Sequence, residues 1–218
     1  MQIKICGITD IKEAAWLNEA GVDYAGFVFY EKSRRNITPQ AAAEIFTQLH
    51  ESVKKVAVLV SPTADRIREI QKIGFDILQI HKELTPEALA AAGLPVWYAL
   101  NISDVGELEQ RQDYIRSLPS DLALKIKAIV VDAPQFGSGK TFDWQQKADS
   151  PDMTAALRQK EIFLDRKFVL AGGLNAENVA EGIRIFKPDI VDVSSSVEGD
   201  KGKDRTKIME FTDAVRSI

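Results

Sequence analysis

The chain has 218 residues, 45% hydrophobic and 28% charged, with a formal net charge of −4 at pH 7; these are the proportions of a globular domain able to bury a sizeable core. The negative balance is spread along the chain, so no basic face is offered to nucleic acid or anionic lipid, and small-molecule chemistry is favoured. A single cysteine, Cys6, excludes an intrachain disulfide, and "MQIKICGITD" has no cleavable apolar leader. No run approaches the roughly 18 apolar residues of a membrane span, and a reducing cytoplasm is the expected compartment.

Eight short β-branched runs follow one another along the chain: "QIKIC" (2–6), "DYAGFVF" (23–29), "KVAVLV" (55–60), "DILQI" (76–80), "VWYAL" (96–100), "KAIVV" (127–131), "KFVLA" (167–171) and "DIVDV" (189–193). Stretches of helical period lie between them. In "TADRIREIQKIG", Ile67, Ile70 and Ile73 form one apolar stripe and Gly74 closes the helix. In "TPEALAAAG", Thr85 caps, Pro86 opens the first turn and Gly93 follows the end. "NAENVAEGIRIF" begins on Asn175, with Val179, Ile183 and Phe186 facing a core, and "DRTKIMEFTDAV" starts in the same way from Asp204.

Eight alternating units predict an α/β fold, a (β/α)8 TIM barrel occupying residues 1–218 as a single domain. A doubly wound open sheet is the alternative, but its glycine fingerprint after the first strand is reduced here to Gly7. The longest irregular piece is 134–165, with an extra helix expected near "MTAALRQK".

A barrel builds its active site from the carboxyl ends of its strands and the loops after them. Cys6 ends the first strand, Gln79 and His81 the fourth, Asp132 the sixth, and Asp192 with Ser194 the eighth; the seventh runs into Gly172 and Gly173. Each has a bland reading. A lone cysteine is commonly a small buried hydrophobe, Asp132 a carboxylate tying down a glycine turn, His81 a satisfied core group and Arg35 a solvated loop charge. Alternation puts Lys4 on the face of Cys6, where a lysine needs a partner and favours a thiolate. Barrel closure makes Asp192 on the eighth strand the expected partner. The amides of "AGGLN", together with Ser194 and Ser195, fit the phosphate site that barrels build from their last two loops.

The segment "VVDAPQFGSGKTFDW" (130–144) ends like a nucleotide-binding P-loop, yet the glycine that should open that loop is Pro134, which has no N–H to give a phosphate. "FDWQQKADSPD" then lacks an apolar helical period. The turn reads instead as a lid containing Gly137 and Gly139, closing beside Asp132.

The stretches "KICGIT" (4–9), "GFVFYEKSRR" (26–35), "DILQIH" (76–81), "VDAPQFGSGKTFDW" (131–144), "LAGGLNAENV" (170–179) and "VDVSSSVEGDKGKD" (191–204) span nearly the whole chain. Together they resemble the phosphoribosylanthranilate isomerases of tryptophan biosynthesis. The resemblance implies an Amadori rearrangement of a phosphorylated small molecule, with no metal or cofactor. It implies Asp132 as general acid and Cys6 as general base, Arg35 on the anthranilate carboxylate, Gln79, His81 and Asp192 as substrate contacts, and Gly172, Gly173, Ser194 and Ser195 around the phosphate. An aspartate near 3.9 and a cysteine near 8.5 then need their pKa values raised and lowered respectively.

The chain departs from the family in three places. Ser196 stands where a glycine is usual after the eighth strand, Lys82 where a glycine follows the fourth-strand histidine, and "WYALN" (97–101) where the fifth strand usually carries a lysine. Other readings are a sister phosphate-binding barrel, which would carry aspartate in place of Cys6, and a noncatalytic phosphate-binding barrel. The protein is expected to be a monomer or homodimer.

Overall fold

The structure is a computed structural model and describes residues 1–101, 105–132, 163 and 166–218. Eight parallel strands close into a barrel in sequence order. They are β1 (Gln2–Cys6), β2 (Tyr24–Phe29), β3 (Lys54–Val60), β4 (Ile77–His81), β5 (Val96–Asn101), β6 (Ile126–Asp132), β7 (Lys167–Leu170) and β8 (Ile190–Val193). Around them lie α1 (Ile11–Ala20), α2 (Pro39–Phe46), α3 (Ala64–Ile70), α4 (Pro86–Ala91), α5 (Val105–Ser117), α6 (Ser120–Ala123), α7 (Val179–Phe186) and α8 (Arg205–Arg216). A hairpin of β9 (Glu198–Gly199) and β10 (Gly202–Lys203) follows β8. Among the described residues no helix is long and apolar enough to cross a membrane.

The strands read as near-continuous apolar runs because both their faces are covered, as parallel strands require. Outward residues such as Ile3, Ile5, Phe27, Leu78 and Leu170 pack with the helices in one core. Inward residues such as Tyr24, Val56, Trp97, Val130, Val169 and Ile190 fill the barrel as a second. The lower barrel is closed by apolar contact, with the Tyr24 and Trp97 rings edge to face at 4.9 Å. Below this layer Gln2 Oε1 accepts from the Tyr24 hydroxyl and from Lys167 Nζ, and above it Lys4, Gln79, His81 and Asp192 are buried polar side chains of the inner face.

Helix starts follow local chemistry. Thr38, Thr63 and Thr85 each cap a helix by accepting from the backbone N–H three residues on. Asp10 and Glu13 form a reciprocal capping box on α1. Three expectations shift slightly. Ile73 lies in a short 3-10 turn (Gln71–Ile73) after α3, before left-handed Gly74. α4 is closed by Ala92 in extended conformation, ahead of Gly93. α7 begins at Val179, although Asn175 Oδ1 accepts from Glu177 N and Asn178 N, both at 2.9 Å, and so shapes the turn leading into it. The helix expected near "MTAALRQK" and the lid glycines Gly137 and Gly139 lie outside the described residues.

Candidate active site

The inner face of the barrel carries a buried ion pair. Lys4 stands opposite Asp192 in the β1–β8 register, and its Nζ lies 2.7 Å from Asp192 Oδ2. Burial disfavours charge on both groups. It lifts the Asp192 carboxyl against the pull of Lys4 and Lys203. It also works against the Lys4 ammonium, which Asp192 and Cys6 nevertheless hold above its ordinary value. Removing one partner strands the other in a dry interior. Lys4→Met is thus expected to lower the unfolding free energy by about 3–5 kcal/mol, with Lys4→Met/Asp192→Leu recovering most of it; paired urea titrations check both.

Cys6 ends β1 one inward step above Lys4, half-buried and beside Gly26 of β2. A Cβ on Gly26 would fall 2.8 Å from Cys6 Sγ, so the missing side chain there is what leaves space for the thiol. Burial pushes the Cys6 thiol up; Lys4 and Lys203 draw it down and Asp192 adds to the rise. The net direction is upward, which corrects the expectation that Lys4 would leave a low-pKa thiolate. The lysine acts in the anticipated sense, but the cost of desolvating a thiolate is larger.

β4 contributes Gln79 and His81, both buried. Gln79 Nε2 lies 2.8 Å from His81 Nε2, an amide donor that makes this ring nitrogen the acceptor. Burial and the Lys4 charge pull His81 down to about 3, against a bond to Asn101. His81 is therefore a neutral imidazole, unsuited to proton transfer near neutrality. Gln79 Oε1 and Asp192 Oδ1 are buried without a hydrogen-bond partner among the described residues, a costly state for oxygens not facing a ligand. Asp132 ends β6 on the same inner face as Ala128 and Val130, opposite Asn101 in the β5–β6 register, and is half-buried.

Arg35 is not a solvated loop charge. Only 12% of its side chain is exposed, and its Nε and Nη2 donate to Glu198 Oε1 and Oε2 at 2.5 and 3.1 Å. Lys203 Nζ reaches the same carboxylate at 2.9 Å and Ser194 O at 3.0 Å. Burial opposes the Glu198 charge, but Arg35 and Lys203 outweigh it and hold the carboxyl at about 2. Sequence reasoning assigned Glu198 and Lys203 no role; the signal was in "VEGDKGKD", charged residues directly after the eighth strand.

Gly172 and Gly173 lie after β7 with φ of 85° and 70°. Opposite them, Ser194 donates its hydroxyl to Cys6 O at 2.8 Å, so that donor is committed within the protein. Ser195 opens a short 3-10 helix, Ser195–Val197. Ser196, in place of the usual glycine, gives its hydroxyl to Leu174 O and so ties the two loops together. The Lys82 departure has a backbone consequence. Its φ is +63°, the left-handed region that suits the family's glycine. Lys82→Gly is expected to stabilise the fold by about 0.5 kcal/mol, strain relief exceeding the added chain entropy, with a melting temperature one or two degrees higher by calorimetry.

Thiol, carboxylates and positively charged loops gathered at the strand ends of a closed (β/α)8 barrel define an enzyme of the class that works on small phosphorylated molecules. The sequence profile of N-(5'phosphoribosyl)anthranilate (PRA) isomerase matches residues 3–214. The chain belongs to this isomerase family of tryptophan biosynthesis. It is 36% identical over 217 residues to N-(5'-phosphoribosyl)anthranilate isomerase of Streptococcus gordonii, covering 99% of this chain and 97% of that one. The crystal structure of phosphoribosyl anthranilate isomerase from Thermotoga maritima superposes with a TM-score of 0.82 at 33% identity, all of both chains being covered. A further isomerase structure was solved with reduced 1-(o-carboxyphenylamino)-1-deoxyribulose 5-phosphate; it matches at 30% identity and a TM-score of 0.77, again over both whole chains.

Proposed function

We propose that this barrel converts N-(5-phosphoribosyl)anthranilate into 1-(2-carboxyphenylamino)-1-deoxyribulose 5-phosphate, with Asp132 as general acid and Cys6 as general base. The observation that carries this reading is their common placement: both lie on the inner face at the carboxyl ends of their strands, three strand steps apart around the ring. A sugar lying across the barrel mouth would meet one group from each side.

Asp132 gives a proton to the ribose ring oxygen as the bond from C1 to that oxygen breaks, leaving an iminium between C1 and the anthranilate nitrogen. Cys6, as thiolate, then takes the C2 proton, and the electron pair of that C–H bond forms the C1–C2 double bond of an enolamine. Return of that proton from Cys6 to C1, with loss of the C2 hydroxyl proton as the Asp132 carboxylate regains one, gives the ketone at C2 and restores both groups. Arg35 holds the anthranilate carboxylate, and the unpartnered oxygens of Gln79 and Asp192 take sugar hydroxyls. The backbone N–H groups around Gly172, Gly173 and Ser195 hold the phosphate; Ser194 serves through its own N–H, since its hydroxyl is used on Cys6 O. His81, neutral, orients Gln79. The test is direct: purified protein mixed with freshly made phosphoribosylanthranilate should quench its anthranilate-type fluorescence catalytically. A loss no faster than in buffer would contradict the proposal.

A further inference from the structure

We propose that Glu198 is a positioning residue for Arg35, turning the guanidinium so that its free edge meets the carboxylate of the substrate; this rests on the reading of Arg35 as the carboxylate contact. A guanidinium has five N–H donors in a fixed fork. Glu198 takes Nε and one donor of Nη2, the side-on edge. Among the described residues the end-on edge, made of Nη1 and the second Nη2 donor, has no partner, and two parallel donors there suit a carboxylate.

Three further observations mark the clamp as built. The Arg35 stem lies against Gly7, where a Cβ would come within 2.4 Å of Arg35 Cδ, so residue 7 must be bare for the arginine to reach Glu198. Lys203, its side chain fully buried, reaches the Glu198 oxygen that also accepts from Arg35 Nε, and bonds Ser194 O, tying the carboxylate to the end of β8. Arg34 adds a third cation at Glu198 Oε2. With three cations around one carboxylate, the corner stays positive: Glu198 orients Arg35 without cancelling the charge that draws an anion.

The experiment compares two ligands: reduced 1-(o-carboxyphenylamino)-1-deoxyribulose 5-phosphate, and its counterpart built on aniline, which lacks the carboxylate. The ratio of their dissociation constants, measured by calorimetry, reports the carboxylate contact alone. Arg35→Ala should collapse the ratio. Glu198→Gln should lower it about fivefold or more, and should change nothing further in the Arg35→Ala background. Glu198→Asp keeps the charge but draws it back by one methylene, and should give a similar loss. If Arg35→Ala leaves the ratio intact, the role of Arg35 itself fails. If Arg35→Ala collapses it while both Glu198 variants keep or raise it, or weaken the two ligands equally, Glu198 merely braces the hairpin and the inference is overturned.

Discussion

Asp132→Asn is expected to lower kcat by roughly 10²–10⁴-fold, the range of a positioned general acid, while the affinity for a product analogue stays within about tenfold. The asymmetry follows from when the group acts. A proton delivered to the ring oxygen stabilises charge that develops only as the C1–O bond breaks, so little of its effect is present in the bound ground state. Asparagine keeps the size and a hydrogen-bonding end at the close of β6, opposite Asn101, so the barrel rim should be undisturbed. Steady-state kinetics with calorimetric analogue binding separate the two effects. Wild-type kcat would remove Asp132 from the mechanism, and a parallel collapse of affinity would make it a binding residue.

Cys6→Ser should be comparably damaging, because a hydroxyl in the same place is far too weak an acid to supply a base. The wild-type pH profile should carry the mark of the thiol. An acid that must be protonated and a base that must be ionised give a rate that is flat between two limbs. The sign on the alkaline side follows from the environment: burial raises the Cys6 thiol more than Lys4 and Lys203 lower it. The fall in kcat/KM should therefore begin above the ordinary thiol range of about 8.5. A limb setting in near pH 7 would mean that Lys4 dominates after all. Wild-type kcat in Cys6→Ser would return the cysteine to a packing role.

Much of this architecture could be read from residue periodicity alone. The strands are apolar on both faces, so each stood out as a short β-branched run, and alternation from Cys6 back to Lys4 identified the face that needed a counter-charge. Closure of the ring then pointed to Asp192. What stayed hidden depended on contacts between distant loops. Glu198 meets Arg35 across 163 positions of sequence, and nothing local in "VEGDKGKD" indicates which cation it holds. The direction of the Cys6 shift was equally hidden, since it is a contest between burial and two lysines, and spacing reveals the lysine on its own strand but not the depth of the site. At Lys82 the resemblance flagged a missing glycine, and the left-handed φ supplies its physical meaning.

On the proposed reading, Cys6, Asp132, Arg35 and the phosphate loops form one site for a sugar bearing a carboxylate at one end and a phosphate at the other. Alkylation of Cys6 by iodoacetamide, followed by mass spectrometry, tests it in a single series with no ligand, with the reduced carboxyphenylamino-deoxyribulose phosphate, and with ATP. Labelling should rise with pH toward 9, with strong protection by the sugar analogue and none by ATP. Protection by ATP alone, or unchanged labelling under saturating analogue, would contradict it.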